Sequence, residues 1–508
     1  MSPLETSRPG VLLLALGMLA LTILVGIWAA RRTRTAKDFF IAGQRIGLLV
    51  TAMATMSAAF SGFVFLGGPG LTYRIGVGSL FIILPVGFTS GLLCWVVGKR
   101  LRLLASVREV YTIPDALECR YRSRLTSGLG ALAVVVGTIG YLGAQILALG
   151  VLIEAIFGTR EALGPWSPLV AMTVGMAVVL LYSIAGGMMA GVYTDLLQGG
   201  VMLLAAVAVF VRALEVGGGA TGIIGSIADS ELFAGMLSPF GGVSVMTALG
   251  FFFVFGVGVL GQPHMLHKFY MLREVGQLKW MPLVLGASQS VCLLIWVGVG
   301  LTVPALVARG RMLPLDRPDD ATMRFLLDFT PDLVAGLALA GALAAIMSTS
   351  DSFLNIGAAS LVRDLPRLVG RPVHRQLLWG RVATAVVAVA ATCLALAYGD
   401  LIALLGTLAF GTLAAALAPA LAVGLNWTRV SAAAATASIA TGLGLNLILE
   451  LLQRQRWVPG LGATPIEGVL PPAVALAGSF VVLFGITWLR GDPDGERIDP
   501  DILAIMRS

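Results

Sequence analysis

Charge is what this chain has least of. Lys, Arg, Asp and Glu make up 12% of its 508 residues, where a soluble globular protein carries about a quarter. That shortage excludes a sizeable solvated domain, because too few polar side chains are present to cover one. Cysteine is scarce as well. Cys94, Cys119, Cys292 and Cys393 are scattered, no two at metal-ligand spacing, so neither a disulfide framework nor a zinc site is written here. His264 and His267 stand three apart with no acidic or Cys partner nearby. A nucleophile–base arrangement and a phosphate-binding lysine motif are also missing, which argues against an enzyme.

What the chain has in abundance is apolar length. It is 57% hydrophobic, with a mean hydropathy of +0.92. Stretches able to cross ~30 Å of hydrocarbon recur from end to end. Hydropathy predicts about thirteen, over 10–30, 46–67, 74–98, 126–158, 166–186, 190–213, 243–269, 280–308, 332–362, 376–398, 401–425, 431–452 and 468–489. The reading is an all-α polytopic protein whose solvent is the lipid bilayer. Arg31 and Arg32 follow the first span rather than precede it, which fits a retained helix better than a cleaved signal.

The net charge of +7 does not mark a nucleic-acid binder, because the cations are sorted by loop. Arg31, Arg32, Arg34 and Lys37 follow the first span. Lys99, Arg100, Arg102, Arg108, Arg120, Arg122 and Arg124 follow the third. Lys268, Arg273 and Lys279 follow the seventh, and Arg363, Arg367, Arg371 and Arg375 the ninth. With thirteen alternating spans these loops share one face, which the positive-inside rule assigns to the cytoplasm. Arg309, Arg311, Arg317 and Arg324 fall opposite. The N-terminus is then outside, and the C-terminus, with Arg490, Arg497 and Arg507, is cytoplasmic.

Two spans carry breakers at mid-depth. One contains Met53 to Gly62 and ends at Gly67-Gly68-Pro69-Gly70; the other contains Gly256 to His264. Broken backbone is tolerated in a membrane only where protein or a wet cavity surrounds it. Interrupted segments at matching places in two halves point to a transporter's central site. The breaks fall five spans apart, which predicts two inverted repeats of five helices. They occupy 46–213 and 243–425, with 1–45, a loop at 214–242 and 426–508 as additions. In the basic loop after the third span, Thr112 is placed to cap a short helix, with Pro114 and Asp115 in its first turn.

Ser348-Thr349-Ser350-Asp351-Ser352 sits deep in the ninth span. An ionisable group at the bilayer centre costs roughly 2.5–3.5 kcal/mol even on the gentlest scale, so the run is a functional candidate. An unwound second span frees the carbonyls of Ser57 and Phe60, and the hydroxyls of Ser348 and Thr349 can face them as an all-oxygen site for a small hard cation. The bland alternative is hydroxyls bonded back to their own helix. Asp195, with Asp351 and Ser352, makes either a second cation site or a proton relay; a snorkelling Asp195 is the alternative. Tyr141 and Gln145 are polar groups on an apolar helix and either line a solute pocket or pack. Gly256-x-Gly-x-x-Gly261 lacks the strand–helix context of a dinucleotide fingerprint.

These residues together resemble the sodium:solute symporter family, over nearly the whole chain from Asp38-Phe39-Phe40-Ile41-Ala42-Gly43 to about the twelfth span. The resemblance rests on Ser61-Gly62 with Gly68-Pro69-Gly70, on Thr112-Ile113-Pro114-Asp115, on Ser183 to Gln198, on Gly261-Gln262-Pro263-His264, and on Met347 to Ser352. It implies a LeuT-like five-plus-five fold with discontinuous helices, and Na⁺-coupled uptake by alternating access across a cell membrane, the inner membrane of a bacterium. It implies a Na⁺ site at Ser57, Phe60, Ser348 and Thr349, with Asp195, Asp351 and Ser352 as a second Na⁺ or proton site. Ser61, Tyr141, Gln145, Phe255, Val259 and Gln262 become the solute-pocket candidates. The proline-transporting branch has aspartate where this chain has Ala59, and Trp and Tyr where it has Phe255 and Val259. The expected partner is a small organic solute of the amino acid or carboxylate class, handled by a monomer. Proton coupling through Asp195 and Asp351, and a solute sensor that keeps the fold without flux, are the competing readings.

Overall fold

A chain with so little charge can bury its backbone in lipid only by closing hydrogen bonds within each segment. The computed structural model does this with helices. It describes residues 9–31, 41–371, 373–398, 401–454, 469–490 and 498–508. Asp38, Phe39 and Phe40 of the expected motif, and Arg32, Arg34, Lys37 and Arg497, lie outside the described residues.

Among the described residues nine helices are long and apolar enough to cross a membrane, or eleven when each of two bent pairs counts as one span. The bends fall where the breakers are. Leu48–Ala59 meets Phe63–Ile82 at 53°, and Val245–Gly261 meets Pro263–Met271 at 43°. Two of the thirteen expected spans, 74–98 and 166–186, do not stand as separate crossings. Over 74–98 the chain runs through a 3-10 segment Gly76–Ile82, a short helix Val86–Leu92 and a π segment Leu93–Gly98. The expected spans 166–186 and 190–213 are one unbroken helical element, Ser167–Gly217, of which Ala190–Gly217 counts as a crossing. Gly186-Gly187 does not interrupt helical hydrogen bonding there, because glycine lowers helix propensity without removing a donor.

The helices sort by burial. The membrane windows of Arg124–Phe157, Asp332–Leu368 and Ile402–Ala422 are 83, 78 and 89% buried, against 28, 39 and 33% for Gly10–Trp28, Leu378–Ala397 and Pro471–Leu489. The inner helices are rich in Ala, Gly and Leu, which favour helix and let backbones approach. The outer ones leave Leu13, Trp379, Val481 and Trp488 exposed, as lipid-facing side chains must be.

The loop after the third span forms the helix Ile113–Tyr121 as expected. Thr112 is its N-cap, Asp115 completes a capping box, and Pro114 sits in the first turn. The cap also ties distant segments together. The Thr112 hydroxyl donates to Asp364 Oδ1 at 3.0 Å, and its carbonyl accepts from the Tyr270 hydroxyl at 3.1 Å. Asp115 pairs with Arg363 at 3.1 Å and Arg367 at 2.7 Å. The C-terminal helix Pro500–Arg507 is capped by Asp499, which Arg108 also holds at 2.6 Å. The Asp501 amide and the Arg108 cation together keep the Asp499 carboxyl below its ordinary range.

Removing the Thr112 cap should be felt across this junction. Thr112→Ala is expected to lower stability by about 1–2 kcal/mol, seen as an earlier thermal unfolding of detergent-solubilised protein, while Thr112→Ser keeps the wild-type transition.

Candidate functional site

The first broken helix opens at Phe60, whose backbone is extended at φ −101° and ψ 113°. A continuous helix would send the amides of Gly62, Phe63 and Val64 back to the carbonyls of Ala58, Ala59 and Phe60. Each goes elsewhere. The Gly62 amide donates to Gln145 Oε1 at 3.0 Å, and the Phe63 amide to the Ser61 hydroxyl at 3.2 Å. The Val64 amide donates to the Ser61 carbonyl at 2.9 Å. The displaced amides are thereby satisfied, and carbonyl oxygens at the end of Leu48–Ala59 are released. Gly62 is required at this point because a Cβ would lie 2.5 Å from Ala148 Cβ and 2.9 Å from Ile346 Cγ1.

The helix Asp332–Ala359 brings its hydroxyl run to this break. Thr349 is fully buried, and its Oγ1 donates to the Ala58 carbonyl at 3.1 Å. Ser348 is buried too, but its hydroxyl turns the other way and donates to Asp195 Oδ1. Both hydroxyl hydrogens are therefore occupied, which leaves the oxygen lone pairs of both residues as acceptors. The Ser57 side chain points to the Met202 sulfur at 3.6 Å, so only its carbonyl is available to the break. The hydroxyls of Ser350 and Ser352 are buried without a hydrogen-bond partner.

Asp195 and Asp351 come together by helix geometry. Asp351 follows Ser348 by three residues, and Gly191 precedes Asp195 by four, so each pair shares a helix face. Asp351 Oδ2 is pressed against Gly191, where a Cβ would clash with it. The larger finding is Lys268. The reading of the cytoplasmic loops placed it among the loop cations after the seventh span, and the structure corrects that. Lys268 is one of the largest fully buried side chains, and its Nζ lies 2.8 Å from Asp195 Oδ2 with both side chains 1% exposed. A sequence signal existed: position 268 falls inside the predicted span 243–269, where a lysine is costly and calls for a partner.

The solute candidates divide into two groups. Tyr141, Phe255 and Val259 line a cavity of about 70 Å³ between the two breaks, together with Phe60 and His264. Ser61, Gln145 and Gln262 instead hold backbone. Ser61 and Gln145 bind the amides of the first break as described. Gln262 Nε2 bridges the Gly258 carbonyl at 3.2 Å and the Phe410 carbonyl at 2.9 Å, closing the second. The cavity walls are largely aromatic. Phe255 stacks on Phe410 at 4.4 Å and on Phe63 at 5.7 Å, and Trp296 meets Phe63 edge-on at 5.5 Å. Thr89 and Gln289 add polar edges, and the lining holds no Lys, Arg, Asp or Glu. Phe63, Trp296 and Gln289 lie in apolar runs and give no motif, so sequence reading passed over them. His264 packs at a tilt against Phe353 at 4.3 Å, and His267 bonds the Tyr111 carbonyl at 2.7 Å. No group of His, Cys, Asp and Glu fit to hold a metal occurs among the described residues.

Residues 39–442 match the model of the sodium:solute symporter family. The osmoregulated proline transporter OpuE of Bacillus subtilis is 28% identical over 84% of this chain and 86% of its own length. The sodium/pantothenate symporter of Escherichia coli is 25% identical over 85% of this chain and 88% of its own length. Among solved structures, a substrate-bound outward-open Na⁺-coupled sialic acid symporter superposes with a TM-score of 0.75 at 16% identity, over 94% of this chain and 97% of that one. MhsT in complex with L-phenylalanine superposes with a TM-score of 0.50 at 13% identity, over 88% of this chain and 98% of that one. The fold is the LeuT-like arrangement with discontinuous helices.

The tight seat of Gly62 gives a direct check. Gly62→Ala forces a methyl into Ala148 and Ile346, and overpacking of this kind costs roughly 1–3 kcal/mol. Its thermal unfolding is expected below wild type, with Ala148→Gly in the same chain restoring part of the loss.

Proposed function

The chain belongs to the sodium:solute symporter family, and on that footing we propose that it couples inward Na⁺ movement to uptake of a small organic solute by alternating access. The protein spans the membrane several times and is a transporter by family, not an enzyme. The observation that carries the coupling proposal is the Thr349 hydroxyl at the carbonyl end of the first broken helix. Carbonyl oxygens of Ser57 and Phe60 with the lone pairs of Thr349 form a neutral, all-oxygen donor set that suits a small hard cation, and Ser348 joins it by turning its hydroxyl from Asp195. Asp195 accepts from Ser348 beside it and is not needed as a ligand, because its charge is already paired with Lys268.

The solute binds in the aromatic cavity between the breaks. The lining offers no charged side chain, and an amino acid or other small carboxylate brings its apolar body against Phe255 and Tyr141. Its carboxylate is balanced by the ion held at the break. Relatives named for proline and for pantothenate make those two compounds the first to try. The repeats are 46–213 and 243–425, with the N-terminus outside and the C-terminus cytoplasmic, as the loop cations favour.

Each sodium charge crossing 100 mV supplies about 2.3 kcal/mol. At about 1.4 kcal/mol per tenfold, one ion concentrates a neutral solute some tens-fold from voltage alone. Sodium and solute bind cooperatively because each favours the same arrangement of the broken helices.

A thermal-shift screen of amino acids and small carboxylates, with sodium or choline at fixed pH, is expected to give a hit that stabilises the protein only in sodium. With that solute in proteoliposomes, Thr349→Ala is expected to raise the sodium concentration for half-maximal uptake by about tenfold, the loss of one charge-assisted contact. Sodium dependence that does not move in the well-folded variant removes Thr349 from the ion site. Uptake that continues in choline assigns the coupling to protons.

A further inference from the structure

Lys268 plays no part in the coupling scheme above, yet it is buried at its centre. Three helices meet there. Lys268 is carried on the second half of the second broken pair, Asp195 on Ser167–Gly217, and Ser348 on Asp332–Ala359. The ammonium gives one hydrogen bond to Asp195 Oδ2 at 2.8 Å, and its other contact is the Met188 sulfur at 3.7 Å. Asp195 is equally committed, with Oδ2 on Lys268 and Oδ1 accepting from Ser348. Asp351 borders the same cluster through Gly191.

The donor set around the ammonium is what a second hard cation would use. It contains a carboxylate and a serine hydroxyl, and the unpartnered hydroxyl of Ser352 lies one turn along on the helix face of Ser348. A sodium ion entering at Asp195 would have to expel the ammonium from the carboxylate it is hydrogen-bonded to, leaving a buried charge without that partner, and that exchange is strongly unfavourable. We infer that Lys268 is a tethered cation standing where a second sodium would sit, so that the protein itself neutralises Asp195 and a single sodium accompanies each solute. The inference deepens the proposed sodium coupling and rests on it. Lys268 is thus a stoichiometry-determining residue: a charge fixed to the chain contributes no transported charge, and accumulation stays at the one-ion level.

Counting bound sodium tests this without a known solute. Radioactive sodium is titrated to saturation on purified protein in nanodiscs under alkaline conditions, with folding followed by size-exclusion profile and thermal unfolding. Wild type is expected to hold one ion per chain. Lys268→Met is expected to double the bound sodium, the gain disappearing when Asp195→Asn is added, and Lys268→Arg is expected to stay at the wild-type count. Two ions on wild type, or no gain in folded Lys268→Met, overturns the inference and leaves sodium coupling standing. No sodium on wild type overturns the coupling reading itself. Should Lys268→Met not fold, Lys268→Gln is followed by the rise of its unfolding temperature with sodium. A sodium response steeper than wild type supports the tethered cation, and an equal one overturns it.

Discussion

The structure depends on one constraint: a backbone polar group left unpaired at membrane depth costs several kcal/mol. A helix can therefore be interrupted there only if other groups take over its hydrogen bonds. At the first break Gln145 and Ser61 take the amides of Gly62 and Phe63, while carbonyl oxygens are left for something else. The asymmetry is what suits the break to the proposed ion site. Donors are satisfied by the protein, and of the acceptors the Ala58 carbonyl takes the Thr349 hydroxyl. At the second break Gln262 does the complementary work, donating to two carbonyls from different helices. Three residues that look like solute ligands in sequence are thus the supports of the two breaks, between which the aromatic cavity lies.

The same economy governs charge. The chain has few ionisable groups, and many of those it buries are paired across elements remote in sequence. Asp115 takes Arg363 and Arg367. Arg120 turns inward to the carbonyls of Gly424, Trp427, Thr428 and Val430, in the turn that follows the helix Ile402–Ala422. A cation read from sequence as a topological marker is at the same time a clamp on that turn. Lys268 takes this furthest, because its partner lies in the bundle interior beside the hydroxyl run.

Much of the architecture was legible because its signals are local. Apolar length gives the spans, and Gly and Pro give the breaks, which fall within the segments Met53 to Gly62 and Gly256 to His264. The Thr112 cap was readable from four consecutive residues. The expected count of thirteen differs from the nine to eleven crossings found among the described residues for an equally local reason. Over 74–98 glycine and proline divide the helix into short 3-10, α and π pieces that hydropathy cannot see. The candidate site was legible in its residue types and only partly in its assignments. Ser348 and Thr349 are neighbours in sequence, yet successive residues on a helix point about a quarter turn apart, so one faces the break and the other faces Asp195.

By itself, then, the sequence determined the solvent this protein lives in, the positions of its two interruptions, and the oxygen-rich stretch that meets one of them. Each follows from composition or from a pattern a few residues long. Only the tertiary structure decided what those groups touch. Gln145 and Gly62 are separated by 83 positions, and Lys268 and Asp195 by 73, so nothing in either local stretch announces the other. Pairing over such separations is fixed by how helices pack. In a low-dielectric interior that pairing settles whether a carboxylate is free to hold an ion or already holds a lysine.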